Sequence, residues 1–188
     1  MNNQLRIIAG QWKRRQLDFA SIDGLRPTPD RVRETLFNWL MWEIQGAKVL
    51  DVCAGSGALA FEALSRGASH VSMIEPNAQQ VAYLKKNLQL LKVENAQLYA
   101  DTAQKTLSKL PKQHFDVVFL DPPYSLNLWQ TLAQQIQPLL KNHALIYVEA
   151  DRAFTQLALP SEWQLIKETK AGKVFAGLFK NLDTSVEC

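Results

Sequence analysis

The 188-residue sequence has little cysteine, little histidine and no long hydrophobic run. Its two cysteines, Cys53 and Cys188, provide no disulfide framework and no spacing typical of a metal site. No apolar run approaches the roughly 20 residues that a membrane helix needs. The first residues carry neither the apolar core nor the cleavage site of a secretory signal. We therefore expect a cytoplasmic protein that binds no metal and no membrane.

The composition that is present is typical of a folded domain. Hydrophobic residues make up 47% of the chain and charged residues 21%. A chain of this length can bury one continuous core. We expect a single domain over residues 1–188, and a monomer.

Positive charge is concentrated at the front of the chain. Residues 1–33 carry a net charge of +4, and the remainder carries −1. Within this segment Lys13, Arg14 and Arg15 follow Trp12 directly. Basic residues interleaved with aromatic ones are typical of a nucleic-acid surface. A solvated face without a partner is the alternative on this evidence.

Short apolar runs rich in β-formers alternate with helical patterns across residues 48–150. This alternation predicts βαβ units and a mostly parallel sheet with helices on both faces. Residues 117–120 and 145–148 are apolar at every position, so these strands should be central. The last two β-leaning runs flank Ala171 and Gly172 and leave no room for a crossover helix. They predict an antiparallel hairpin at one end of the sheet.

The region before Lys48 follows a different pattern. It holds a short β-like run, RIIAGQWKRRQL, and a helix that opens near Thr28. Thr28 is the expected N-cap, with Pro29 at the first helical position. We expect Trp39 and Trp42, on or near this helix, to belong to the core.

The stretch LDVCAGSGALA joins a predicted strand to a predicted helix. Asp51 ends the strand, and Ala54, Gly55 and Gly57 lie in the turn, where glycines let a backbone approach a ligand closely. Read as G-x-G-x-x-A, the turn is only weak evidence for a dinucleotide. A carboxylate at this place would repel a pyrophosphate, but it suits the ammonium and sulfonium of S-adenosyl-L-methionine.

The next two predicted strands also end in acids. Glu75 ends the second strand, where an acid can accept hydrogen bonds from both ribose hydroxyls. Asp101 follows the third and can accept from an adenine amino group. The carboxyl ends of parallel strands meet at one edge, where open α/β sheets bind ligands. One such acid could be a plain strand terminus, but three beside a glycine turn predict a cofactor site.

The run FDVVFLDPPYSLNLW ends a predicted strand with Asp121, Pro122, Pro123 and Tyr124. Two prolines fix two φ angles and remove two donors, so the strand stops and the loop is stiff. Asp121 and the Pro122 carbonyl could each accept one N–H of a nucleobase amino group, which would aim the nitrogen lone pair at a methyl donor. Tyr124 could stack on a base that has been rotated out of its helix. A strand-ending turn is the alternative, but the cofactor acids favour the catalytic interpretation.

These motifs resemble those of class I S-adenosylmethionine-dependent methyltransferases. RIIAGQWKRRQL, LRPTPDRVRETLFNWL, LDVCAGSGALAFEALSRGA, FLDPPY and ALIYVEA resemble, in that order, the RsmD family of bacterial 16S rRNA guanine-N2 methyltransferases. The resemblance implies a Rossmann-like α/β fold with a seven-stranded sheet. It also implies 16S rRNA, in the small ribosomal subunit or its precursor, as partner. The implied ligands of S-adenosyl-L-methionine include Asp51, Ala54, Gly55, Gly57, Glu75 and Asp101.

The same resemblance assigns Thr28 and Arg31 to a segment that covers the methionine end of the cofactor. A capped helix that packs on the sheet would account for these two residues equally well. Residues 1–45 then form a basic extension and helix that contribute to RNA and cofactor binding. The DPPY motif by itself does not separate guanine N2 from adenine N6 or cytosine N4. A non-catalytic RNA-binding assembly factor with this fold and, more distantly, a nicotinamide oxidoreductase are the competing hypotheses from outside this class of enzyme.

Overall fold

The computed structural model describes residues 3–22 and 28–182. The strands in these ranges are β1 (Asn3–Arg6), β2 (Gln16–Phe19), β3 (Lys48–Asp51), β4 (His70–Ile74), β5 (Ala96–Tyr99), β6 (Phe115–Leu120), β7 (Leu140–Ala150), β8 (Trp163–Ala171) and β9 (Val174–Asn181). The α-helices are α1 (Asp30–Trp39), α2 (Ala58–Ser65), α3 (Ala78–Leu90), α4 (Ala103–Leu107) and α5 (Trp129–Ile136).

Strands β3 to β9 form one sheet of seven strands in the order β5-β4-β3-β6-β7-β9-β8. The strands from β5 to β7 in this order pair in parallel. Strand β9 is antiparallel to both β7 and β8. The predicted mostly parallel sheet with a C-terminal antiparallel hairpin is therefore confirmed. The parallel strands end together at what we call the carboxyl edge of the sheet, and they start at its amino edge.

The core consists of two apolar layers, one on each face of the sheet. One layer packs α1, α2, α3 and the small β1–β2 sheet against side chains such as Val117 and Phe119. The other packs α4 and α5 against the alternate side chains of the same strand, Val118 and Leu120. All four side chains are almost fully buried. Strand β6 lies in the middle of the sheet and is covered on both sides, as its continuous apolar run predicts.

The front of the chain is an antiparallel hairpin attached to α2. Strands β1 and β2 pair from Asn3↔Phe19 to Arg6↔Gln16, so the β-like run is two strands joined by a turn. The Gln11 N–H donates to the Ser65 carbonyl at 2.8 Å, and the Trp12 N–H donates to Ser65 Oγ at 3.1 Å. A Cβ on Gly10 would lie 1.9 Å from the Ser65 carbonyl oxygen, so this close approach requires glycine.

Glu62, in the middle of α2, links the hairpin to two helices. Its fully buried carboxylate accepts the N–H groups of Ile8 and Ala9 at 2.9 and 3.0 Å. Arg66 Nε donates to the same carboxylate at 2.7 Å, and the buried Arg33 of α1 lies 3.7 Å away. These contacts pair or hydrogen-bond a buried charge, so Glu62 connects the front of the chain to α2 and α1.

Two local predictions about the early helix are wrong. The residue that caps α1 is Pro29, whose carbonyl accepts the first helical N–H groups from Val32 and Arg33, and Thr28 makes no capping hydrogen bond. Helix formation therefore starts one residue later than the sequence pattern suggests. Trp39 packs partly against the core, but Trp42 lies beyond the helix end with 84% of its surface exposed. Within the described ranges, no helix combines the length and apolar character that crossing a membrane requires.

Candidate active site at the carboxyl edge of the sheet

The turn after β3 has a backbone that needs glycine. Gly55 and Gly57 have φ angles of +51° and +80°, in the left-handed region. A Cβ on Gly57 would lie 2.6 Å from the Phe61 ring and 2.7 Å from the Leu84 side chain. The Gly57 N–H donates to the Ala54 carbonyl at 2.7 Å, which closes the turn directly before α2. The chain thus forms a tight turn at the start of a helix, and without side chains at Gly55 and Gly57 a ligand can approach its backbone closely.

Asp51, at the end of β3, is a buried carboxyl group beside this loop. Only 3% of the residue is exposed. Burial raises the pKa of Asp51 to about 7, and the charge of Glu75 adds to the effect, while N–H groups of Ala60 and Cys53 oppose it by donating to the carboxylate. The group is therefore close to half-ionised at neutral pH, and a cation bound nearby would favour its charged form.

Glu75, directly after β4, braces the glycine loop against the start of α3. Its Oε2 accepts the Gly55 N–H at 3.0 Å, and its Oε1 accepts the Asn77 N–H at 2.8 Å. Asn77 in turn caps α3, since its Oδ1 accepts the Gln80 N–H at 3.0 Å. Burial raises the pKa of Glu75. The carboxylate keeps free lone pairs for ligand hydroxyls after making these two bonds.

Asp101 is more open than the other acids. It lies two residues beyond β5, its Oδ1 accepts the Thr102 N–H at 2.8 Å, and Lys105 Nζ is 3.7 Å away. Thr28 is buried just before α1, whereas Arg31 is exposed in the first turn of that helix. Residue 26, which belongs to the same motif as Thr28, lies outside the described residues.

Asp121 leaves β6 next to the glycine loop. The pairing of Asp51 with Phe119 places Asp51 and Asp121 on the same face of neighbouring strands. Burial, and then the negative charges of Glu149 and Asp51, raise the pKa of Asp121 well above its ordinary value. The carboxyl group therefore takes up a proton readily in the empty site, and a positive charge placed beside it would favour its ionised form.

The two prolines after Asp121 lead into a short helical turn over Tyr124–Leu126. The Leu126 N–H donates to the Pro123 carbonyl at 3.0 Å. The Tyr124 hydroxyl donates to Glu149 Oε1 at 2.9 Å, and the Tyr124 ring centroid lies 5.8 Å from that of Trp129. The aromatic ring at the end of the motif is thus fixed at its hydroxyl and along its side.

Known proteins match almost the whole chain. A family model described as conserved hypothetical protein 95 matches residues 5–180. A Haemophilus influenzae protein named ribosomal RNA small subunit methyltransferase D is 45% identical, covering 95% of this chain and 94% of the relative. An Escherichia coli protein of the same name is 41% identical, covering 95% of this chain and 91% of its own length.

The chain belongs to this family, the RsmD family. Two solved structures of similar sequence agree. A chain from Escherichia coli named as a methyltransferase has a TM-score of 0.88 and 42% identity, covering 96% of this chain and 99% of that one. A methylase from Haemophilus influenzae has a TM-score of 0.81 and 43% identity, covering 96% and 100%.

Membership of the RsmD family confirms the main predictions from the sequence. The fold is the Rossmann-like fold of class I S-adenosylmethionine-dependent methyltransferases. Dependence on that cofactor is confirmed at the level of the family and the fold. The assignment of individual site residues stays a prediction, although the structure brings Asp51, Gly55, Gly57, Glu75 and Asp121 together at the carboxyl edge.

The predicted RNA-binding residues of this RsmD-family chain lie elsewhere. Lys13, Arg14 and Arg15, which we call the basic turn, lie between β1 and β2 next to Ser65. Ser65 is the last residue of α2, and the glycine loop precedes its first residue. Eight helical residues separate the two ends by about 12 Å along the axis. The basic turn therefore lies toward the amino edge and does not line the cleft itself.

Glu149 is a further residue of the site that was not predicted from the sequence. It is the next-to-last residue of β7, and the pairing of Leu120 with Val148 puts it directly beside Asp121. The signal was present in ALIYVEA, because this strand also carries an acid close to its carboxyl end. Four neighbouring strands, β4, β3, β6 and β7, thus have a carboxyl group within one residue of their last position.

Proposed function

We propose that this protein transfers a methyl group from S-adenosyl-L-methionine to the exocyclic N2 of a guanine in 16S rRNA, within the small ribosomal subunit or its assembly precursor. The observation that carries the proposal is the placement of Asp121 and its rigid Pro-Pro-Tyr segment beside the glycine loop and Asp51. The relatives named ribosomal RNA small subunit methyltransferase D support the choice of RNA. The family resemblance of the motifs supports guanine N2. We further propose that the enzyme acts as a monomer and uses no metal.

The residues at the carboxyl edge fit S-adenosyl-L-methionine. Asp51 would face the cationic end of the molecule, and Glu75 would accept from the ribose hydroxyls. Asp101 would accept from the adenine amino group, while Thr28 and Arg31 would cover the methionine end. The backbone of Ala54, Gly55 and Gly57 forms the floor, where an added Cβ at Gly57 would already collide with the protein. When bound, the cofactor supplies an electrophilic methyl group on a positively charged sulfur.

The target base is held by the motif after β6. The amino nitrogen of guanine is a poor nucleophile, because its lone pair is delocalised into the ring. Asp121 and the Pro122 carbonyl each accept one N–H, so the lone pair is directed at the methyl group and the developing positive charge is stabilised. The two prolines prevent these acceptors from drifting, and the tethered Tyr124 ring stacks on the base plane.

The chemistry is direct transfer: the amino nitrogen would form a bond to the methyl carbon as the carbon–sulfur bond breaks, S-adenosyl-L-homocysteine would leave, and no covalent enzyme intermediate would form. After attack the amino nitrogen is positively charged, so its proton is acidic and passes to Asp121 or water. Cys53 is the only nearby thiol within the described residues, and burial, with the charges of Asp51 and Asp121, raises its pKa. A thiol kept protonated in this way does not act as a nucleophile.

The basic turn gives the RNA a second contact, away from the cleft. Residues 1–45 supply this turn and α1, and we propose that they serve RNA binding as well as cofactor binding. A particle-sized substrate can reach both places, whereas a free nucleotide reaches only the cleft. The basic turn thus contributes affinity through phosphate contacts and does not select the base.

Removing the charge of the basic turn is expected to weaken binding to the small subunit. In a variant with Lys13→Glu, Arg14→Asn and Arg15→Glu, asparagine suits position 14 because φ is +72° there. The slope of log affinity against log salt should fall by roughly 2 to 3, at about 0.7 to 0.9 for each phosphate that the variant no longer neutralises. Turnover at saturating subunit and affinity for the cofactor should not change.

A matched control variant reverses the charge of two exposed lysines, Lys170 and Lys173, near the tip of the β8–β9 hairpin. The pairing of Ala150 with Phe175 places this tip at the carboxyl edge, near the cleft. An unchanged salt slope in the basic-turn variant, with a reduced slope in the hairpin variant, would move the RNA-binding face to the hairpin.

The function is tested by comparing substrates for methyl transfer. Labelled S-adenosyl-L-methionine is incubated with small subunits, large subunits and naked 16S rRNA, each prepared without its own methylation. Label should enter the small subunit or its RNA and not the large subunit. Absence of label from every nucleic acid would favour the non-catalytic assembly factor.

A further inference from the structure

Glu149 is a buried acid whose neighbours are the proposed target-binding residues. Only 5% of the residue is exposed. Strands β6 and β7 pair in parallel with Leu120 opposite Val148, so Asp121, directly after β6, lies beside Glu149 near the end of β7. Neighbouring strands are about 4.8 Å apart, which brings the two acids into direct electrostatic contact.

The carboxylate of Glu149 is held by two phenols. Tyr124 donates to Oε1 at 2.9 Å, and Tyr147 donates to Oε2 at 2.8 Å. The backbone carbonyl of Glu149 accepts the Trp129 indole N–H at 2.8 Å, and the Trp129 ring lies against that of Tyr124. Glu149 therefore determines the position of the Tyr124 ring through its own carboxylate and through Trp129.

The salt bridges of the described residues do not include Glu149. Burying a carboxylate without a cation is costly, and two hydroxyl donors offset only part of that cost. The nearby cation Arg152 is engaged by Asp151 at 2.7 Å and lies over the Trp129 ring. Replacing buried charged groups by apolar residues of similar volume is often neutral or stabilising, so stability alone does not account for a glutamate at this position.

We propose that Glu149 is a positioning residue for methyl transfer, which fixes the stacking ring of Tyr124 and acts as the negatively charged partner of Asp121. This inference rests on the proposed function, because Tyr124 and Asp121 are taken as the groups that hold the base. Glu149 touches neither the cofactor nor the reacting nitrogen; it acts through these two residues.

The charge around the pair makes the role measurable. The groups around Asp121 and Glu149 are acids, phenols and one thiol, together with the already paired Arg152: Asp51, Cys53, Tyr124, Tyr147 and Asp151. The charge of Glu75 acts on Asp51 and Cys53. Burial, followed by the charge of Glu149, raises the pKa of Asp121. Burial also raises the pKa of Glu149, but the hydrogen bonds from Tyr147 and Tyr124 favour its charged form. Removing that charge should let Asp121 ionise at lower pH.

The test compares Glu149→Gln and Tyr124→Phe with the wild type across pH. Glu149→Gln keeps the shape but loses the charge, so the acid limb of kcat/KM should move to lower pH by about one unit, and the plateau should fall about tenfold or more. Tyr124→Phe keeps the ring and loses the tether, so the plateau should fall while the acid limb stays near its wild-type position. Cofactor affinity should not change in either variant.

Two results would overturn the proposal: a Glu149→Gln profile that differs from the wild type in height alone, or a Tyr124→Phe variant with full activity. Glu149→Asp provides a further check should the glutamine variant fold poorly. It keeps the charge on a shorter arm, so it should lose plateau activity without moving the acid limb. The profiles are measured on whichever base takes up label. A base other than guanine would therefore contradict the proposed function and leave the Glu149 test intact, while no label at all would contradict both.

Discussion

Asp121→Ala is expected to lose nearly all turnover and to retain cofactor binding. The side chain accepts an N–H of the target amino group in the proposed complex, and its negative charge stabilises the positive charge that develops there. Removing one pre-organised electrostatic interaction of this kind typically costs about 100- to 1000-fold in kcat. Single-turnover methyl transfer to small subunits, with equilibrium binding of S-adenosyl-L-methionine measured in parallel, separates the two effects.

Two further variants test whether the loss of turnover is due to the charge of Asp121: Asp121→Asn removes that charge, and Asp116→Asn is a control on the same strand. Asparagine at 121 keeps an acceptor oxygen without the charge, so it should recover little turnover. Asp116 lies at the other end of β6, where it accepts the Lys48 N–H at 2.9 Å and pairs with Lys141 at 2.7 Å. Its amide variant should lower the free energy of unfolding without changing turnover. Wild-type turnover in Asp121→Ala would contradict the assigned role.

Cofactor affinity is expected to weaken as pH falls below about 7. Burial raises the pKa of Asp51 to about 7, so the carboxylate takes up a proton below that pH. A cationic ligand binds the charged form better, and the dissociation constant should therefore rise by up to about tenfold for each pH unit below 7, and level off above it.

Asp51→Asn should remove this pH dependence. The variant should bind the cofactor about 10- to 100-fold more weakly at pH 8, the range for removal of a hydrogen bond to a charged group. Titration calorimetry on both proteins gives the comparison, and any titration of the cofactor itself is common to both. A wild-type dissociation constant that stays constant from acid to neutral pH would mean that Asp51 does not meet the cationic end.

The arrangement of the main sheet could be predicted from the sequence because its signals are local. Each parallel strand is a short apolar run, and the positions of Asp51, Glu75 and Asp121 follow from where those runs stop. The hairpin followed from the lack of room for a crossover around Gly172. The unbroken apolar run through Val117 and Val118 predicted a strand covered on both faces, and these two side chains lie in different core layers.

The features that were missed depend on contacts between distant segments. In the sequence Glu149 looks like an ordinary polar residue near a strand end. Only the β6–β7 register shows that it lies beside Asp121. The basic turn lies away from the cleft because of the direction of α2 and the hydrogen bonds that the two residues before the turn make to Ser65. Neither feature can be inferred from the residues Lys13, Arg14 and Arg15 themselves. The Thr28 hydroxyl could cap a helix, but α1 begins one residue later, so Pro29 is the N-cap residue.

Analysis of the methylated nucleoside tests the central claim most directly. Small subunits labelled by the enzyme are digested to nucleosides, and the label is assigned by chromatography and mass spectrometry. We predict label in N2-methylguanosine, which would establish the reaction, the base and the atom together. Label in N6-methyladenosine or N4-methylcytidine would contradict the guanine assignment.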